Sequence, residues 1–462
     1  MFASLANTIA NCFKIPELKS RIIFTLVVLA ICRLTALIYV PGLDGKALHD
    51  FFEENAKTAG GSLLGMYSMF TGGAMERCAI GSLGIMPYIS ATIIIQLLSA
   101  VVPRLSKLAR EEGGRAKIVQ YGRYLTLLIC LGQGLFMVIG WEKPQSIFGD
   151  KFTADLLLPF LREHIWWYRI ETVLILTTGT MLLMWLGEQI TERGIGNGIS
   201  LVISIGILAR LPQAGQGLWD MFAPKGATTQ FNFFHGIALL LLLLGVIAGV
   251  IAVTQAQRKI PVQYAQRAVG RKVYQGGTSF MPLRVNYAGV MPVIFAQAIL
   301  MFPQKICQWI GDLYDIRFFK DTAAMLGEGA LLYLVLYGLM ILFFSYFWVA
   351  TQFNELQISD DLKKYGGYIP GVRPGQATSE FLHNAMSRIT LAGAIFLTVI
   401  ALIPIILSKE MGIPFQVATF FGGTSMLILV GVMLDTMRQM ESHLLMRHYD
   451  GFLKKGRIKG RF

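Results

Sequence analysis

An all-α membrane protein is the fold class the sequence predicts, on three observations. Hydrophobic residues make up 54% of the 462 and charged residues only 15%, against roughly 25% charged in a soluble globule. The mean hydropathy is +0.55. The apolar residues also fall in runs close to the ~20 that a helix needs to cross ~30 Å of hydrocarbon, with short basic loops between them.

In chain order, ten runs are candidate spans: 22–40, 79–98, 118–140, 166–187, 196–211, 233–254, 287–309, 329–351, 387–407 and 417–436. Pro87 weakens the second, and a glycine-rich entry weakens the fifth. An even count returns both termini to one side, and lysine and arginine decide which. About 25 of the 41 basic residues lie in the segments that alternation places inside, the cytoplasmic side by the positive-inside rule. The richest are 99–117 (Arg104, Lys107, Arg110, Arg115, Lys117), 255–285 (Arg258, Lys259, Arg267, Arg271, Lys272, Arg284) and the tail after Met437. No acidic residue interrupts 255–285. The net charge of +13 therefore reads as orientation and attraction to anionic headgroups or acidic partners, not nucleic-acid binding. The five cysteines show no Cys-x-x-Cys spacing, and Cys32 and Cys130, inside apolar runs, are expected to act as small hydrophobes. The run from Ile22 is too long for a signal-peptide core and has no small-residue cleavage site before Pro41, so no cleavable leader is expected.

The chain also echoes itself. The second span reads Gly84-Ile85-Met86-Pro87-Tyr88-Ile89, and the seventh reads Gly289-Val290-Met291-Pro292-Val293-Ile294, with four of six positions identical. Each fragment lies in the second helix of a five-helix half, the pattern of an inverted repeat, where interrupted helices mark the working site. The halves are expected at 1–213 and 214–437, hinged near Pro212, with a basic tail over 438–462.

Gly194-Ile195-Gly196-Asn197-Gly198 lacks the preceding strand and following Lys-Ser/Thr of a phosphate loop and is expected to form a tight turn. The segment 61–74 is apolar but too short to span. It reads either as an interfacial segment on the outer side or as a movable stopper hinged at its glycines. Arg33, inside the first span, is expected to find a structural partner. Glu188, Glu192 and Arg193 at a helix end are expected to be solvated. No H-E-x-x-H or G-x-S-x-G motif is present and the six histidines are dispersed, so no enzyme activity, metal or cofactor is expected.

Two long stretches, Ser82 to Gln96 and Trp185 to Ser200, resemble the signature segments of the SecY family. Pro370-Gly-Val-Arg-Pro-Gly375 and Phe421-Gly-Gly-Thr-Ser425 are similar to two further motifs of that family, in the same order over nearly the whole chain. The resemblance implies an hourglass channel of two five-helix halves that passes unfolded preproteins and releases membrane segments sideways into lipid. It implies a pore ring at Ile85, Ile89, Ile199, Ile203, Ile294 and Ile428, and a plug in 61–74 that includes Leu63, Leu64, Met66, Met69, Phe70, Gly72 and Gly73. Gln133 and Asn286 match lateral-gate positions. Arg258, Lys259, Arg271, Lys272 and Arg373 match positions that dock a ribosome or the SecA motor. The implied partners are SecE, SecG, SecA, the ribosome, signal sequences and membrane lipid, in a bacterial inner membrane. The spacing agrees with the ring: Ile85/Ile89 and Ile199/Ile203 are each four apart, hence on one helix face.

Two departures stand against the family pattern. Glu76-Arg77 puts charge just after the plug, and 141–165 matches nothing. A secondary transporter would also use inverted repeats, but it needs a polar, ion-coordinating midplane, and the interrupted helices carry mainly Ile, Met, Val and Tyr. An intramembrane protease needs paired Asp or Ser/His within spans, and none is found.

Overall fold

The computed structural model describes residues 15–455 except 57–67, 69–70, 112, 143, 145–155, 223–232, 265–266, 270–271, 275–276, 288, 315, 328–329, 412–416, 418–419 and 421–423. Contacts divide the chain into two units, 1–229 with 428–462, and 230–427.

The first unit holds α1 (Pro16–Leu34), α2 (Gly45–Ala56), α3 (Met86–Val101), α4 (Pro103–Arg110), α5 (Gly114–Glu142), α6 (Pro159–Glu163), α7 (Ile165–Arg193), α8 (Gly198–Leu208) and α9 (Leu211–Phe222). The second holds α10 (Phe233–Gln255), β1 (Gln257–Tyr264), β2 (Arg267–Val269), β3 (Lys272–Tyr274), β4 (Thr278–Arg284), α11 (Met291–Tyr314), α12 (Arg317–Met325), α13 (Leu331–Gln352), α14 (Glu355–Lys364), β5 (Gly367–Tyr368) and α15 (Gln376–Met411). The last helix, α16 (Thr424–Lys455), starts in the second unit and continues into the first.

Six helices among the described residues are long and apolar enough to cross a membrane, and α3 is a shorter apolar helix. Leu240, Leu241 and Leu244 on α10, with Val335, Leu339 and Phe343 on α13, are each 52–63% exposed. Rows of large apolar side chains facing outward belong in hydrocarbon, where the helix satisfies its own backbone. The chain is a multi-pass, all-α membrane protein that carries two small sheets among the described residues, one of three strands and one of two.

The first two span edges move from their expected places. α1 begins at Pro16, whose missing N–H costs nothing in the first turn, and Glu17 and Arg33 suit the dipole at its two ends. It stops at Leu34, short of the predicted 40. Residues 35–40 are as apolar as a helix, but they pair with the second predicted span instead. Val40 N–H donates to Cys78 O at 2.9 Å, and Ile80 N–H donates to Ile38 O at 2.9 Å. Correspondingly, 79–85 forms turns and α3 starts only at Met86. Hydropathy measures burial and cannot tell a helix from a buried turn.

In the first unit, α5 packs on α7, and forked ion pairs clamp them near both ends. Arg123 bonds both oxygens of Glu188, at 3.2 and 2.7 Å. Arg169 makes three bonds to Glu142 at 2.8–3.1 Å while lying 5.3 Å over the Trp166 ring. The planar guanidinium matches a carboxylate in two places, so these pairs fix direction as well as distance. Glu188 is therefore not the solvated charge expected from its place at a helix end.

The glycine-rich stretch is a turn, as its composition suggested, and it is tied to distant elements. Asn197 caps α8 by accepting from Ser200 N–H at 3.2 Å. Ile195 N–H donates to Thr25 Oγ1 of α1 at 3.1 Å, and Gly196 N–H to Gln439 Oε1 of α16 at 2.8 Å. Gly196 holds a φ of +91°, a conformation open mainly to glycine.

In the second unit the basic segment 255–285 contains strands, which the helical expectation did not include. β4, β1 and β5 form an antiparallel sheet with Gln257 opposite Arg284 and Gln263 opposite both Thr278 and Tyr368. Ile260 drops from β1 into a cluster with Leu283, Phe353, Ile369, Leu382 and Met386. The two-residue period of a strand explains the alternation of exposed Lys259 and Pro261 with buried Ile260 and Val262, while Arg258, on the same face as Ile260, is exposed near the start of the strand.

Candidate functional site

The sequence echo is also an echo of conformation. Gly84 has φ +58° and Gly289 has φ +64°. Two residues after each glycine a helix begins, α3 at Met86 and α11 at Met291, with proline in its first turn. Glycine takes the left-handed turn without a Cβ penalty, and proline is pre-set for the helix start. Each unit thus starts one apolar helix in the same way. One turn in, Ile89 is 3% exposed and Ile294 2%.

Of the six isoleucines expected in a ring, five belong to the first unit and Ile294 to the second. Ile85 caps α3, and Ile89 N–H bonds back to its carbonyl at 3.2 Å. Ile203 is buried on α8, Ile199 is half-buried and Ile428 on α16 is 1% exposed. No charged side chain shares these helix starts: Met86–Ala91, Gly198–Ile203 and Met291–Ala296 are apolar apart from Tyr88, Ser90 and Ser200.

Of the residues expected in the plug, Leu63, Leu64, Met66, Met69 and Phe70 lie outside the described residues. Gly72 and Gly73 are described, both left-handed at φ +63° and +86°. Arg33 has the structural partner it was expected to need, since Nη1 and Nη2 both donate to Gly72 O at 3.2 Å. Sequence reasoning missed a second arginine. Arg210, just past α8, is 4% exposed and ion-paired with Glu76, which is equally buried. The available signal was an arginine ending an apolar helix, with Glu76 the one acidic residue in 68–85.

Gln133 is half-buried on α5, and its Oε1 has no partner among the described residues. Asn286, in the second unit, lines a small cleft with Val250, Thr254, Val290 and Phe396. Arg258 and Lys259 are exposed on β1 and Arg373 is exposed on a loop. That loop is braced, with left-handed turns at Gly371 and Gly375. Ser359 Oγ donates to Gly375 O at 2.6 Å, and Thr378 Oγ1 to Arg373 O at 2.9 Å. Arg271 lies outside the described residues, and Lys272 begins β3.

A family model for SecY matches residues 79–437. The protein translocase subunit SecY of Thermotoga maritima is 42% identical over 453 residues, covering 98% of each chain. A solved SecY structure, described for a plug domain that stabilises the closed state and maintains a membrane seal, matches with a TM-score of 0.57 at 18% identity over 92% of both chains. Sec61 in a canine ribosome–channel complex from the endoplasmic reticulum matches with a TM-score of 0.55 at 18% identity, again over 92% of both.

Proposed function

The chain belongs to the SecY family, and from that premise we propose that it is the protein-conducting channel subunit of a bacterial Sec translocon. It passes unfolded preproteins across the inner membrane and releases transmembrane segments sideways into lipid. The observation that carries this reading is the repeated helix start: each unit begins one apolar helix with a left-handed glycine and Met-Pro, and buries an isoleucine one turn on. An apolar constriction suits a cargo of every polarity, because isoleucine offers no charge or hydrogen bond to trap it. Ten spans in two inverted halves, 1–213 and 214–437, would set Ile85, Ile89, Ile199, Ile203, Ile294 and Ile428 around the axis, with 61–74 as the plug. A preprotein arrested in transit should photo-cross-link to a probe at position 89 or 294 and not at lipid-facing 241. Cross-linking at 241 alone would overturn the channel reading.

Both termini are cytoplasmic in this reading. Single cysteines placed near Lys459 and within 311–328 should label from opposite faces of intact cells, and labelling from one face would rule out the ten-span topology. Gln133 and Asn286 border the lateral gate. The chain is not an enzyme, so SecA or a translating ribosome supplies the driving force, and SecE and SecG complete the channel. The exposed, braced Arg373 and the basic residues Arg258, Lys259, Arg271 and Lys272 dock that partner. Arg373→Glu should leave the abundance of inserted protein normal and impair motor-driven export. The defect should vary with ionic strength, since surface charges are screened over ~8–10 Å. Parallel loss of abundance and export would mean Arg373 serves the fold instead.

A further inference from the structure

The three-stranded sheet of the second unit buries one face and leaves the other bare. On the inner face, Ile260 and Leu283 join the cluster with Phe353 and Ile369. Residues directly opposite in an antiparallel pair share a face. The register therefore sets Pro261 against Phe280, Lys259 against Pro282 and Gln263 against Tyr368 on the outer face. A solvated antiparallel face ordinarily carries polar side chains. Here Phe280 is 60% exposed and Tyr368 40%, and Pro261 and Pro282 are exposed beside them. A single exposed apolar residue needs no explanation, but a contiguous patch with a polar rim marks an interaction site. This rim is cationic: Lys259 and Arg284 are exposed on the same face, and no acidic residue occurs in 255–285. The patch is also continuous with the loop of Arg373. That loop follows β5 directly, and Ile369 and Val372 pin it to the cluster under the sheet.

We propose that this outer sheet face, with Phe280 at its centre, is an apolar contact patch that receives an acidic protein surface, that of the export motor. The proposal rests on the reading that Arg373 and the basic segment dock the motor, and it adds a contact that no charge supplies. An aromatic centre inside a charged rim is the anatomy of a protein–protein hot spot, in which the ring fills a recess and the cations steer the encounter. Ribosomal RNA fits the patch less well, because its phosphates are held by cations and hydrogen-bond donors and the prolines here offer neither. The two parts of the surface differ in their response to salt. Ions screen the contact of Arg373, whereas burial of apolar area does not depend on charge.

The test uses the full chain assembled with SecE and SecG in proteoliposomes, and reads the affinity of purified SecA at low and at high salt. Phe280→Ala should weaken binding about tenfold at both, as truncation of an interface anchor does. Arg373→Glu should weaken it mainly at low salt. Phe280→Leu, which keeps an apolar side chain, should lose less. Because Phe280 is exposed in the chain itself, abundance and Tm should match the parent, and so should ribosome affinity. If Phe280→Ala binds SecA as the parent does while Arg373→Glu does not, the patch is wrong and the docking reading stands. If neither change matters, the docking reading falls and the patch falls with it. Loss of ribosome affinity with SecA affinity intact would overturn the choice of partner. A benzoylphenylalanine at position 280 should photo-cross-link to SecA. Should Phe280→Ala fail to insert, absence of that cross-link overturns the proposal by itself.

Discussion

Ile294→Asn should raise resting ion conductance and loosen the demand for a strong signal sequence, with the protein still inserted. Ile294 is 2% exposed, one turn inside a helix that begins at a glycine–Met-Pro break. An amide buried there without a partner costs on the order of 1–3 kcal/mol. In the proposed ring that cost falls on the dry, closed pore and not on the hydrated, open one. A shift of ~1.4 kcal/mol enlarges a minor open population about tenfold. Leu241→Asn, on the 63% exposed face of α10, is the control and should do neither. Unchanged conductance and unchanged signal stringency in a normally inserted Ile294→Asn protein would remove Ile294 from the pore.

Gly198→Ala should destabilise the first unit more than any single methyl addition on the surface. A Cβ at Gly198 would stand 1.8 Å from the carbonyl oxygen of Gly187 and 2.9 Å from Ile190 Cβ. Both obstacles belong to α7, which α8 meets through the tight turn 194–197, and backbone cannot rotate away as a flexible side chain can. Thr191 Oγ1, which accepts from Gly198 N–H at 2.9 Å, would be displaced as well. Overpacking of this kind costs about 1–3 kcal/mol and sometimes more. The expected result is a clear drop in Tm of the detergent-purified protein and faster proteolysis. Gly122→Ala on α5 meets nothing within 4 Å and should be neutral or slightly stabilising, since alanine favours helix by up to ~1 kcal/mol. Equal Tm for Gly198→Ala and the parent would show that α7 and α8 are not so close.

The amino-acid order alone shows that the chain crosses a membrane repeatedly, because burial in lipid demands long apolar runs. It also placed the turn at 194–198 and exposed the Gly-x-Met-Pro echo, since glycine and proline act through local backbone geometry that needs no neighbours. Where the helices end depends on contacts between distant segments. Residues 35–40 and 79–85 are apolar enough to continue helices, yet they bond to each other, a pairing that sequence distance hides. What the charges do depends on such contacts too. Arg123 and Glu188 lie 65 residues apart, and Arg210 and Glu76 lie 134 apart. An ion pair is a relation between two positions, and only the folded chain brings the two together.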